Sequence, residues 1–488
     1  MSDSASTSET TPLLPPSPPP SKVNEKNNKH VFYTCLLTLF VINSGASMSI
    51  PPTTSILQDL LCERHYAAES HGTLSVADLD CKIEPVQSSL SMLRGMLGLM
   101  TLLPGLFLGV PYAALAERWG VKRVLLLCVT GIVLGETWTD LVCWGGTVWK
   151  WPLQLMYLAP VAYFIGGGPA VGGPLLFVLV ADHSPVELRA TRFFLMEAGS
   201  YSGTVLGFMA SSAIMDAHLW GAVVMGWALV VTSFFLTLLF QQDRAVVRDS
   251  EDQGDDHVAA TPAPEAKSTL ATVRTAMGLF REQTGLLVLL FGFVLRYLGD
   301  EVMVLLIIYA AQAFGWSFSE SGYLVSLQNA THLAVLLLLP AVSRLLTRTQ
   351  TREQRESETG LSKHFALARG SALFAAVGSA GMALSRSPVF FVISLILYGL
   401  SSGYSQSIRS ILTLATPEEH RAITYSVLGI MEAAGALIGA PFWPLMYQVG
   451  LRMGARGSGF WVGLPFVISA VLMGIVWVSV YVGRVRAV

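Results

Sequence analysis

Charge is scarce in this chain. Only 13% of its 488 residues are Asp, Glu, Lys or Arg, while 52% are hydrophobic. Two or three water-soluble domains of ordinary composition carry about twice that share of charge. Neither sign dominates either, since 31 Lys and Arg against 33 Asp and Glu leave a formal −2. With no basic stripe interleaved with aromatics, a nucleic-acid-binding role is excluded. No Walker-type loop is present, which removes ATP as an energy source. A His-x-x-x-His box, a Gly-x-Ser-x-Gly elbow and an Asp-Gly phosphotransfer motif are also missing, so the chain is not expected to be an enzyme. No metal ion or cofactor is expected.

Long apolar runs fill the space that charge leaves. Runs of about 20 residues recur, the length that crosses a hydrocarbon core of roughly 30 Å. The first follows a polar stretch of about 30 residues and lacks a small-residue cleavage site, so it reads as a retained span. Residues 1–30, rich in Ser, Thr, Pro and Asn, are expected to be a disordered tail. Six spans then fall at 31–57, 88–114, 122–144, 155–182, 190–213 and 219–240, making an N-terminal bundle over 31–240. A second six fall at 284–312, 320–346, 365–386, 388–414, 421–446 and 460–483, making a C-terminal bundle over 284–483. Between them, 241–283 is acidic and proline-bearing, the composition of a flexible linker. Residues 484–488 form a short tail. Counting residues near a span end with the adjoining side, 22 of the 31 Lys and Arg lie on the side of the N-terminus, three deep in spans (Arg94, Arg296 and Arg409) and six on the opposite side. The positive-inside rule therefore places both termini in the cytoplasm, with an even number of crossings. The expected fold is an all-α polytopic membrane protein of twelve transmembrane helices in two pseudo-symmetric six-helix bundles.

One stretch appears twice. Pro185, Glu187, Arg189 and Ala190 are followed by Gly203 and Gly207; 232 residues later come Pro417, Glu419, Arg421 and Ala422, then Gly435 and Gly439. Six identities hold one register across 23 positions. Each copy reads as a charged loop entering a helix that packs closely through its glycines, a repeat hinge. Two parallel halves built this way are the layout of a transporter.

After the second span comes Ala113-Ala-Leu-Ala-Glu117-Arg118-Trp-Gly120-Val-Lys122-Arg123. This resembles the Gly-x-x-x-Asp-Arg-x-Gly-Arg-Arg signature of the major facilitator superfamily, with Ala113 in place of the first Gly and Glu117 in place of Asp. The resemblance implies that this loop gates the inner ends of the helices, its carboxylate meeting the start of span eleven at Arg421. More narrowly, the long Cys-bearing first loop and Ser407-Ile-Arg409-Ser410-Ile-Leu through Pro417-Glu-Glu resemble the proton-coupled folate transporter-like branch of solute carriers and its fungal relatives.

An ionisable residue inside a span costs several kcal/mol unless paired or hydrated, so each is a candidate. Glu197 in span five and Arg409 in span ten come from opposite halves and are expected to pair in one state and separate in another, with protonation of Glu197 loosening the pair. A permanent structural bridge is the alternative. Arg296 and Asp300 in span seven are four apart and share a helix face, leaving Glu301 as a free carboxylate about 100° away. Glu432 in span eleven calls for a partner from another helix or a proton. His332 in span eight is either a proton relay or an ordinary interhelical hydrogen-bonding group. Glu136 and Asp140 in span three read as a vestibule for cations or as a solvated helix end. The glycines at 166–168, 172 and 173 mark span four as bendable, with a milder version at Gly399 and Gly403. Tyr398, Tyr404 and Trp443 either line a pocket or pack. Of the five cysteines, Cys62 and Cys81 share the long polar loop and form either a disulfide or two free thiols.

The expected function is secondary active transport of a small organic solute, with an organic anion suggested by Arg409 and Arg296, driven by proton symport and alternating access. A gradient-independent facilitator and a non-transporting sensor or scaffold with the same fold are the alternatives. The partners expected are the solute, protons and the lipid bilayer, for a chain that works as a monomer. Glu9-Thr-Thr-Pro-Leu13-Leu14 has the form of an acidic dileucine sorting signal, which leaves the plasma membrane and a vacuolar or endosomal membrane both open. Replacing Glu9, Leu13 and Leu14 by Ala should shift a fluorescently tagged chain from internal membranes to the cell surface; an unchanged distribution under the microscope rejects the signal.

Overall fold

The structure, a computed structural model, describes residues 22–69, 80–240, 284–348, 359–416, 421–456 and 459–487. Those residues are helical almost throughout. The N-terminal half comprises α1 (Lys22–Glu69), α2 (Glu84–Trp119), α3 (Val121–Trp149), a 3-10 segment (Leu153–Phe164) leading into α4 (Pro169–Asp182), α5 (Val186–Met215) and α6 (Leu219–Leu238). The C-terminal half comprises α7 (Thr284–Asp300) joined by a 3-10 turn to α8 (Leu306–Phe314), then α9 (Phe318–Arg348) and α10 (Thr359–Leu384). It continues with α11 (Pro388–Gly399), a 3-10 turn into α12 (Gly403–Ala415), α13 (Arg421–Arg456) and α14 (Leu464–Ala487). Counting α7–α8 and α11–α12 as single crossings gives twelve. Among the described residues nine crossings are long and apolar enough to span a bilayer unaided. The remaining three, α5, α7–α8 and α9, are the ones that carry Glu197, the Arg296–Asp300–Glu301 group and His332.

Several ends differ from expectation. Helix α1 begins at Lys22 rather than 31, because Lys22–His30 contains no Gly or Pro to stop a helix nucleated in the apolar run. The rest of the tail, residues 1–21, lies outside the described residues. At the other end α14 runs to Ala487, so the short tail expected at 484–488 is helical almost to its end. Helix α13 continues ten residues past 446 despite Pro441 and Pro444, which membrane helices tolerate when neighbours cover the freed carbonyls. The same device is visible in α1: Pro52 has no N–H for the carbonyl of Met48, and Ser211 Oγ of α5 donates to it at 2.7 Å. The linker 241–283, the sorting residues Glu9, Leu13 and Leu14, and Pro417 and Glu419 lie outside the described residues.

Span four is broken rather than merely bendable. Gly166, Gly167 and Gly168 have φ of +84°, +83° and +63°. In that region an L side chain costs roughly 1–2 kcal/mol per residue. The chain there presses against α3: Cys128 Sγ donates to the Gly166 carbonyl at 2.7 Å, and a Cβ at Gly166 would strike the backbone of Leu127 and Cys128.

The repeated glycines occupy equivalent places in the two halves. Helix α5 lies along α1, and α13 lies along α7. A Cβ on Gly203 or Gly207 would run into the carbonyl oxygens of Phe40 and Ser44 of α1. On Gly435 or Gly439 it would stand 2.7 Å from Tyr297 Cβ or 2.6 Å from Glu301 Cβ. The halves then meet through α5 against α9 and α2 against α13. Overpacking of this kind costs about 1–3 kcal/mol per site. Gly207→Val and Gly435→Val should each lower the melting temperature and the yield of monodisperse protein in detergent. Gly474→Ala, where a Cβ meets only open space, should be neutral in the same size-exclusion assay.

Candidate functional site

The two helix breaks of the C-terminal half are tied together by one buried cation. Arg296, near the end of α7, ion-pairs with Asp300 one turn on. Its Nη2 donates to Ser401 Oγ at 2.9 Å, and its Nη1 donates to Tyr398 Oη at 3.3 Å. Tyr398 in turn donates to Asp300, and its ring lies under the Arg296 guanidinium, 5.6 Å from centroid to Cζ. Arg296 is 3% exposed, so desolvation is severe, and the carboxylate plus two hydroxyls supply what water no longer does. The 3-10 turns at Glu301–Leu305 and Leu400–Ser402 thus face one another through this network. Tyr404 and Trp443, like Tyr398, are fully buried, and Trp443 Nε1 donates to the Leu298 carbonyl at 2.7 Å.

Arg409 on α12 does not pair with Glu197 in this state. Its Nη2 stands 2.6 Å from Glu432 Oε2 on α13 and 3.4 Å from Tyr297 Oη. Glu432 thereby has its partner from another helix. Glu197 looks toward this pair from α5 in the other half, and its charge interacts with both Arg409 and Glu432. Beside them Tyr201 of α5 and His332 of α9 touch edge to face, ring centroids 5.9 Å apart. Among the described residues His332 Nε2 has no hydrogen-bond partner, and Glu301 has neither a hydrogen bond nor an ion pair. Two tyrosines, Tyr201 and Tyr297, therefore belong to the group without having been singled out in the sequence. Tyr297 carried a readable signal, since it precedes Glu301 by one helical turn.

Inside the N-terminal half Glu197 lines a cavity of about 290 Å³ whose far wall includes Glu136. Glu136 also lines a second cavity, of about 120 Å³, together with Arg94. It is therefore an interior group, and the solvated helix end offered as one reading of it is corrected: α3 extends to Trp149, more than three turns beyond it. Asp140, one turn on, has a buried Oδ1 with no partner among the described residues.

At the end of the bundle away from the termini the halves are latched. Cys62 and Cys81 are joined as a disulfide, Cα to Cα 5.3 Å, which anchors the adjoining Lys82. The Lys82 carbonyl accepts from Gln312 Nε2 at 2.8 Å, and its Nζ donates to the Trp316 carbonyl at 3.2 Å. Arg452 Nε lies 3.3 Å from Glu84 Oε1. Ser319 Oγ sits 2.7 Å from the Ser212 carbonyl and 2.9 Å from Asp216 Oδ2, and Ser326 Oγ donates to the Val205 carbonyl at 2.9 Å. At the opposite end Ala113, Glu117, Arg118 and Arg123 are exposed, Gly120 turns the chain at φ +89°, and Lys122 Nζ donates to the carbonyls closing α6. Arg421 begins α13, but its side chain lies outside the description, as does that of Glu187; Pro185 and Arg189 are exposed at the start of α5.

A family model described as the Major Facilitator Superfamily matches residues 82–355. The "MFS efflux pump atnC" of Emericella nidulans is 28% identical over 489 residues, covering 97% of this chain and 92% of its own. The "Efflux pump ustT" of Aspergillus flavus is 26% identical, covering 89% of this chain and 85% of its own. Among solved structures, that of the nucleoside transporter NupG superposes with a TM-score of 0.61 at 11% identity, covering 94% of this chain and 99% of its own. These matches speak to the superfamily and not to the narrower folate transporter-like branch. With twelve crossings in two halves and a family model spanning more than half its length, the chain belongs to the Major Facilitator Superfamily, and it is a membrane transporter.

Proposed function

We propose that the protein is a proton-coupled secondary exporter of a small organic solute, working as a monomer by rocking of its two halves. The observation that carries this reading is the charged group on the seam. Glu197 and Tyr201 belong to one half; Tyr297, Arg409, Glu432 and His332 belong to the other. A rocking motion must change the distances between these two sets. Arg409 is held by Glu432 in the present state and meets Glu197 when the seam closes there. A proton on Glu197 removes the attraction and lets the halves part, so proton occupancy and conformation become linked. Glu301 is the second proton-binding candidate.

The abundance of Lys and Arg on the terminal side supports a cytoplasmic location for both termini. The latched disulfide end then faces outward, and the state described is one closed to the outside. The exposed Glu117 loop serves as the opposing gate, engaging the start of α13 when the cytoplasmic side closes. Export rather than uptake is favoured because the two relatives above are named efflux pumps. Both the surface and the vacuolar or endosomal membrane remain compatible sites of action.

The test is flux in proteoliposomes with an imposed proton gradient, using a panel of labelled small organic acids. Wild type should move label against its gradient when protons flow the other way. Glu197→Gln should lose gradient-driven movement while keeping exchange at equal pH. Arg409→Ala should cut both by about ten-fold or more, the scale of removing one partner of a charge-assisted pair. Flux indifferent to the proton gradient and to both substitutions would leave a facilitator and reduce the seam group to packing.

A further inference from the structure

Arg94, Arg296 and Arg409 lie deep within the spans, and they are not equivalent. Arg296 and Arg409 are each answered by a carboxylate of their own half, Asp300 and Glu432. Arg94 on α2 has no carboxylate within ion-pair distance among the described residues. It makes a hydrogen bond to the Ile50 carbonyl at 3.5 Å, the outer limit of useful geometry. That carbonyl already accepts from Thr53 Oγ1 at 3.1 Å and Thr54 Oγ1 at 2.6 Å. A guanidinium held at membrane depth this way is costly unless water or an anion reaches it.

Space for an anion is present on both sides of it. Arg94 lies in the wall shared by the cavity of about 120 Å³ inside the N-terminal half and another of about 320 Å³ between the halves. The smaller one has polar side chains in its lining, Ser49, Thr53, Thr139 and Glu136 together with Arg94. The larger is apolar on its far side, where Met303, Ile307, Ile308 and Val325 of the C-terminal half face Arg94 and Thr101. A cation at the polar end of an apolar chamber suits a ligand with the same asymmetry.

We infer that Arg94 is the anion-binding residue of the transport pathway, taking the carboxylate of an amphipathic organic acid whose apolar body lies in the seam cavity. This rests on the transport reading above and adds to it the class of substrate. It also moves the anion site from Arg296 and Arg409, whose counter-charges an incoming carboxylate would first have to displace, to the arginine that has none in contact. Because the chamber is walled by both halves, an occupant touches α2 on one side and the α7–α8 break on the other, which couples its presence to their relative position. Glu136 shares the smaller cavity and is the internal anion that competes with the ligand for the guanidinium.

The experiment is equilibrium binding of labelled cinnamate and of cinnamamide, matched in shape but differing in charge, to the full chain in nanodiscs with no gradient. Cinnamate should bind wild type at least ten-fold more tightly than the amide. Arg94→Gln should erase that preference and Arg94→Lys should retain most of it. Glu136→Gln should strengthen cinnamate binding several-fold, and it keeps the idea testable if Arg94→Gln does not fold. Equal or absent binding of the two probes to wild type, or cinnamate affinity unchanged in both Arg94→Gln and Glu136→Gln, would overturn the site. Since no proton flow is involved, loss of coupling in Glu197→Gln leaves this result standing, and gradient-driven flux with no charge preference sinks the anion site alone.

Discussion

An ionised side chain in hydrocarbon has to find its counter-charge within a few ångströms, and that requirement organises the interior of this molecule. Arg296 holds two broken helices together because Asp300, Tyr398 and Ser401 answer its two Nη atoms. Arg409 and Glu432 join α12 to α13 for the same reason. Elsewhere Arg94 and Glu197 border cavities, and His332, beside Tyr201 at the seam, has an Nε2 with no partner among the described residues. A group with spare bonding capacity invites a proton, a solute or a different partner.

Pseudo-symmetry supplies the scaffold for these charges. Equivalent glycine pairs let α5 approach α1 and α13 approach α7, backbone against backbone. The symmetry stops at the chemistry. Glu301 sits beside Gly439 in the second half, while its counterpart surface beside Gly207 is the bare Ser44 carbonyl. The second half pairs Arg296 with Asp300 and Arg409 with Glu432, whereas in the first half Arg94, Glu136 and Glu197 line internal cavities.

Much of the fold was legible because it depends on features that sequence displays directly. Span count follows from apolar length, and the internal repeat from identities in register. The Arg296–Asp300 contact follows from a spacing of four on one helix. Other features depend on which helices become neighbours, and no spacing encodes that. Arg409 took Glu432, 23 residues away on the next helix, in place of Glu197 from across the seam. Helix ends in α1, α13 and α14 were misjudged because a helix continues into water or past a proline wherever nothing stops it. Arg94 was visible as an intramembrane cation. What no spacing shows is that, among the described residues, Arg94 has no carboxylate within ion-pair distance while Arg296 and Arg409 each have one.

The latch at the disulfide end relies largely on main-chain acceptors. Ser319 and Ser326 reach the carbonyls of Ser212 and Val205, Gln312 reaches that of Lys82, and Lys82 reaches that of Trp316. A carbonyl is present whatever residue occupies the position. Mutational drift on the acceptor side therefore leaves those bonds chemically intact, and only the few donor positions are exposed to loss by substitution. Such a joint lets the chain diversify the loops at this end while keeping the closure between its halves, a form of genetic robustness that side-chain-to-side-chain pairs do not provide.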